Sequence, residues 1–194
     1  MSGERYMRKI ISIIFAAMLI FCTGCGQTNP EEEILSAVDN IGNAHSLYFE
    51  NFIAGNMVSG EKLSEDKNPY PNSVYYAHKE EYDTVEELKT LACTYFSKEV
   101  FENNFMNEFE AKHEDIPPYL VEVDGIIYTN CNYGVGGSVV FMTETAQITY
   151  VDKSSATVEI QYYNTMDETA KETTTVNMVY ENGKWVFNQA YLLN

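Results

Sequence analysis

The feature that most constrains this chain is a change of period at Pro117-Pro118. Ahead of that point apolar residues recur every three or four positions, and beyond it they alternate. Two turn dipeptides, Asp124-Gly125 and Asn182-Gly183, separate alternating runs. Both tolerate positive φ at successive residues, as a tight hairpin between right-twisted strands requires. The second part of the chain is therefore expected to be antiparallel. Its strands are expected at Tyr119–Val123, Ile126–Thr129, Val139–Val151, Ala156–Asn164 and Thr173–Tyr180, with a return through Trp185-Val186-Phe187. In Ala156–Asn164, Val158, Ile160 and Tyr162 alternate with Thr157, Glu159 and Gln161, so one face of that strand belongs to a core.

The first part reads as helices. Asn29 is a cap, Pro30 suits a first helical position, and Glu31 to Glu33 lie where the helix dipole favours negative charge. Ile34, Leu35, Val38 and Ile41 give an apolar face, and Gly42 is the expected stop. Residues 45–80 are read as irregular, with a hairpin or a strand near Ser73–Ala77. Leu47-Tyr48-Phe49 and Val74-Tyr75-Tyr76 look strand-like, but Gly55, Gly60, Pro69 and Pro71 interrupt the stretch. Thr84 and Glu87 form a capping box ahead of Val85, Leu88, Leu91, Ala92 and Tyr95. Ser97 caps a further helix on which Phe101, Phe105 and Phe109 recur every four residues. Helices followed by an antiparallel meander define an α+β fold, with N-terminal helices packed on a curved sheet as in cystatin-like and NTF2-like domains.

The N-terminus carries a separate signal. Arg5, Arg8 and Lys9 precede Ile10 to Phe21, which is apolar apart from Ser12. About a dozen residues match a signal-peptide core and are too few to span a bilayer. The run ends in Cys22-Thr23-Gly24-Cys25. A small residue before a cysteine is what a lipoprotein peptidase accepts. The expectation is a leader over 1–24, a lipidated tether over 25–29 and one domain over 30–194. Lipidation at Cys25 with fatty acyl chains such as palmitate would place the domain on the outer face of a bacterial cell membrane. Removing the leader takes three of 12 basic residues and one of 29 acidic ones, leaving nine Lys against 28 carboxylates, a net charge of −19. Such a chain has no means of neutralising a row of phosphates, which excludes nucleic acid as a partner. Anionic head groups would repel it, so two acyl chains must do the anchoring. Cys93 and Cys131 remain, either as an exported disulfide or as free thiols; Cys93 projects away from its helix's apolar stripe, so it is expected to be exposed or bridged.

No catalytic or metal centre is legible. His45, His78 and His113 have no metal-ligand spacing, and His113-Glu114-Asp115 are consecutive, so they cannot all face one ion. Gly134-Val135-Gly136-Gly137 precedes a strand rather than a helix and lacks a phosphate-binding lysine. Cys93 lies toward a helix C-terminus, which raises a thiol's pKa, and Cys131 lies in a turn with no basic neighbour in sequence, so neither is expected to form a thiolate. The expectation is a protein that is not an enzyme and needs no metal or cofactor. The segment Thr129 to Ser138, rich in residues that tolerate positive φ, is either a plain connection or a protruding loop with Tyr133 as anchor.

From Tyr75 onward the chain resembles bacterial DL-endopeptidase inhibitors of the IseA type. The resemblance rests on Tyr82-Asp83-Thr84 with Glu87-Leu88, then Phe96-Ser97, then Val123-Asp124-Gly125-Ile126-Ile127-Tyr128. Gly136-Gly137-Ser138 and Glu181-Asn182-Gly183-Lys184-Trp185 complete it. It implies a cystatin-like, non-catalytic inhibitor that fills the cleft of a cell-wall hydrolase of the NlpC/P60 class. Tyr133, Gly136, Gly137 and Ser138 would form the blocking loop, with Asp124 nearby. This chain differs from the pattern in its lipid anchor and in the absence of an acidic residue from Thr129 to Ser138. Two other expectations stand beside this one. One is an NTF2-like ligand domain whose pocket is lined by Tyr150, Tyr162, Tyr163 and Trp185, if Phe101 and Phe105 leave it open. The other is a structural accessory domain of an envelope assembly.

Overall fold

The computed structural model of the chain describes residues 29–53, 60–77, 82–111, 116–131 and 138–193. Helix α1 (Pro30–Val38) begins as its sequence dictates, with Asn29 Oδ1 accepting the Glu31 N–H at 3.2 Å. It ends sooner than Gly42 implies. The chain breaks at Asp39-Asn40, restarts as α2 (Ile41–His45) with Gly42 inside it, and continues as a π-helical segment, Ser46–Ile53. Ile34, Val38 and Ile41 are buried, but Leu35 is exposed, so the apolar stripe is narrower than expected. Leu47-Tyr48-Phe49 is helical and not a strand. Leu47 and Tyr48 are buried in the core from that helical path, and such packing overrides β-propensity.

Helix α3 (Val85–Tyr95) carries the full capping box. Thr84 Oγ1 accepts the Glu87 N–H at 3.2 Å, and the Glu87 carboxylate accepts the N–H groups of Asp83 and Thr84 at 2.9 and 3.1 Å. Those N–H groups, Asp83 first, hold the Glu87 carboxyl below its ordinary pKa. Leu88 and Ala92 are buried, with Val85, Leu91 and Tyr95 packed beside them. Ser97 Oγ accepts the Val100 N–H and opens α4 (Lys98–Val100). The chain winds on through a π turn at Phe101–Phe105 and a 3-10 turn at Met106–Phe109.

The strands are β1 (Tyr75–Ala77), β2 (Leu120–Val123), β3 (Ile126–Asn130), β4 (Val139–Val151), β5 (Ser155–Asn164), β6 (Asp167–Glu181) and β7 (Lys184–Phe187). Instead of one curved sheet they form two antiparallel sheets, β1-β3-β2 and β4-β5-β6-β7. Both hairpin dipeptides turn as expected, with φ of 54° and 79° at Asp124 and Gly125, and 53° and 84° at Asn182 and Gly183. Strand β6 begins at Asp167, six residues before the expected Thr173, because its first seven residues are exposed and carry no alternation to read. Beside β1, Leu63 N–H donates to Tyr75 O and Ala77 N–H to Glu61 O. Gly60 is needed at this edge, since a Cβ there would lie 1.9 Å from Ala77 O.

Helices and both sheets share one core, which includes Ile34 and Leu88 from the helices, Leu120 and Ile127 from the small sheet, and Ile160 and Val176 from the large one. Its centre is aromatic. Phe105 is fully buried, with ring centroids 4.9 Å from Tyr48, 5.4 Å from Phe96 and 5.7 Å from Phe101. The Tyr48 hydroxyl reaches buried Glu108 at 3.4 Å, and burial raises the phenol's pKa far above its ordinary value. The fold class is α+β.

Candidate functional site

The register gives the large sheet two distinct ends. At one end Val139 pairs with Asn164 and Asn164 with Asp167, so the start of β4 adjoins the β5–β6 turn. At the other, Val151 pairs with Ala156, Ser155 with Val179, and Glu181 with Lys184. Between them β5 runs ten residues, so these ends lie roughly 30 Å apart at about 3.3 Å per residue.

The loop expected to carry function enters the large sheet at the first of these ends. Ser138 O accepts both the N–H and the hydroxyl of Thr165, at 3.0 and 3.2 Å, which ties the loop's exit to the β5–β6 turn. Its other root is held on the small sheet, where Cys131 N–H donates to Val74 O at 2.9 Å. Tyr133, Gly136 and Gly137 lie outside the described residues, as does Cys25. Asp124 does not stand at the loop's root. It occupies the hairpin tip at the opposite end of β3 from Cys131, and its carboxylate pairs with Lys67 at 2.6 Å. The five-residue strand β3 separates the hairpin tip from Cys131.

Beside Ser138 stands a feature that sequence reasoning did not single out. Met166, at the tip of the β5–β6 turn, is 86% exposed, and Val140, which pairs with Tyr163, is also exposed. Carboxylates surround this apolar tip. Asp167 accepts from the Thr169 hydroxyl and N–H, which hold its carboxyl below the ordinary range, and Glu172 accepts from the Tyr162 hydroxyl at 2.7 Å. The available signal was a methionine in the turn Asn164-Thr165-Met166-Asp167, where turn chemistry supplies polar residues. An apolar, adaptable side chain inside an acidic rim suits a protein contact.

Other expected sites resolve differently. Both cysteines are free, so the bridge is not formed; Cys93 sits half-buried against the core and Cys131 is exposed. Cys93 is neither exposed nor bridged, because the β6–β7 turn stands beside it, with Glu181, Asn182 and Lys184 around the same recess. Burial raises both thiol pKa values, with Glu181 adding to the effect at Cys93, and this disfavours a nucleophilic thiolate. No group of three His, Cys, Asp or Glu residues among the described residues is placed to hold a metal. The four-residue pocket also fails to form. Tyr150 lies near one end of the large sheet and Tyr162 and Tyr163 near the other, with adjacent strand residues facing opposite sides. Phe101 and Phe105 fill the interior. Trp185 lines a separate groove with Glu32, Glu33 and Lys184 at the end remote from Ser138.

No protein-family model matches the chain, and a search of curated proteins gives no match. Among the described residues, no helix is long and apolar enough to cross a membrane.

Proposed function

We propose that this chain is a lipid-anchored, non-catalytic binding domain of the cell envelope that restrains a cationic cell-wall hydrolase, a DL-endopeptidase of the NlpC/P60 class. The observation that carries this reading is the polarity of the molecule. Glu32 and Glu33, on the first turn of α1, lie beside Gly183 and Lys184, at the sheet end opposite Ser138 and Met166. Cys25 precedes Asn29 by four residues, at most about 15 Å of extended chain. An anchor there directs the Met166 tip away from the membrane, toward the wall. The charge of −19 left after leader removal steers a basic enzyme to that end, and the exposed methionine and loop supply the contact. The acidic character missing from the loop itself comes from its neighbours Asp167, Glu168 and Glu172.

The test is a peptidoglycan digestion by an NlpC/P60 endopeptidase of the same organism, with residues 26–194 titrated in. Stoichiometric inhibition that weakens with salt, and is lost in a Tyr133→Ala, Met166→Ala double variant, is the expected result. Absence of both inhibition and binding at micromolar protein would refute the proposal.

A further inference from the structure

The groove beside Trp185 has a chemistry of its own. It measures about 500 Å³ between α1 and the start of β7, within the range of small-molecule sites. Glu32, Glu33 and Asn40 line it from the helical side, Lys184 and Trp185 from the strand, and Thr94 from the end of α3. The Lys184 ammonium is fixed by donating to Cys93 O and Thr94 O at 3.0 and 3.1 Å, the free carbonyls of the α3 C-terminus. Two of its three protons are used there, leaving one to donate. Trp185 is only 6% exposed, and its indole Nε1 is buried without a hydrogen-bond partner. A buried N–H without an acceptor is costly, and Trp185 is among the residues that line the groove.

The two walls therefore offer opposite chemistry: carboxylates on the helix, and a fixed ammonium beside the Trp185 ring on the strand. We propose that this groove binds a small zwitterion, its ammonium group on Glu32 and Glu33 and its oxyanion on Lys184, against Trp185. Free amino acids and short peptides have this chemistry. So does a phosphoethanolamine head group, which the tether would bring within reach. The site is independent of the loop end, since it lies at the other end of the sheet.

Trp185 is the sole tryptophan of the chain, so its fluorescence reports on the groove directly. The experiment uses the protein purified from membranes in neutral detergent, titrated with glycylglycine, N-acetylglycylglycine, glycylglycinamide and phosphoethanolamine. The expected result is a saturable change with a zwitterion, at least tenfold weaker with the two blocked dipeptides and in the Glu32→Gln, Glu33→Gln variant. A response to glycylglycine assigns the groove to amino acids or peptides. A response to phosphoethanolamine alone, reproduced by phosphatidylethanolamine vesicles but not phosphatidylglycerol ones, assigns it to a lipid head group. No saturable change up to about 10 mM, equal binding of the blocked compounds, or unchanged affinity in the double variant would overturn the proposal. Far-UV circular dichroism of the variant, whose substitutions lie on the first turn of α1, verifies that it is folded.

Discussion

Replacing Phe105 by alanine tests the most specific structural result, that an aromatic core occupies the space where an NTF2-like domain would hold a ligand. Phe105 is fully buried and shares ring contacts with Tyr48, Phe96 and Phe101. Burying a phenylalanine side chain is worth about 1.5–3 kcal/mol. Each aromatic pair adds roughly 0.5–1.5 kcal/mol, and a cavity left behind adds to the loss. Because such contributions do not simply add within one contact network, the expected loss is the ~3–5 kcal/mol typical of a buried Phe→Ala change. A domain of this size has a total stability on the order of 5–15 kcal/mol, so the variant should keep its fold with a much reduced margin. In urea, with a slope of about 2 kcal/mol per molar, the midpoint should fall by roughly 1.5–2.5 M. Equilibrium unfolding followed by circular dichroism measures this shift. A loss below about 1 kcal/mol would mean that Phe105 lines open space and would return the ligand-cavity reading to consideration.

Two further perturbations address local structure. Thr84→Ala removes the capping-box acceptor of α3 and should cost about 1 kcal/mol, lowering the melting temperature by roughly 2–4 °C; an unchanged melting temperature would contradict the cap's contribution. Asp152 accepts the Ser154 and Ser155 N–H groups at 2.8 and 2.7 Å and the Tyr150 hydroxyl at 2.9 Å, and these bonds pull its carboxyl down to about 2. A carboxyl depressed in the folded state stabilises fully above its unfolded pKa, near 3.8, and that stabilisation is lost as pH falls through about 2. Asp152→Asn should therefore unfold at lower denaturant than the parent protein at pH 7, with the gap closing toward pH 2. A gap independent of pH would show that the turn does not depend on the charge.

Much of the fold was determined by the sequence alone, wherever a local rule left one solution. Asp124-Gly125 and Asn182-Gly183 specify their turns because few residues accept two successive positive φ values, and Thr84 with Glu87 specifies the start of α3 because the box satisfies orphan N–H groups within one turn. Val158, Ile160 and Tyr162 mark their buried face by strand period. Tertiary structure alone decided what depends on partners distant in the chain. The helical path of Leu47-Tyr48-Phe49 follows from burial, the exposed residues Lys171 to Thr173 of β6 are a strand through pairing with β5, and the β2–β3 hairpin joins β1 instead of the large sheet. The groove could not be read along the chain either, since Glu32 and Trp185 meet only when α1 packs beside β7. Periodicity and turn chemistry act over a few residues, whereas sheet partnership and the meeting of unlike charges are settled by how those elements pack.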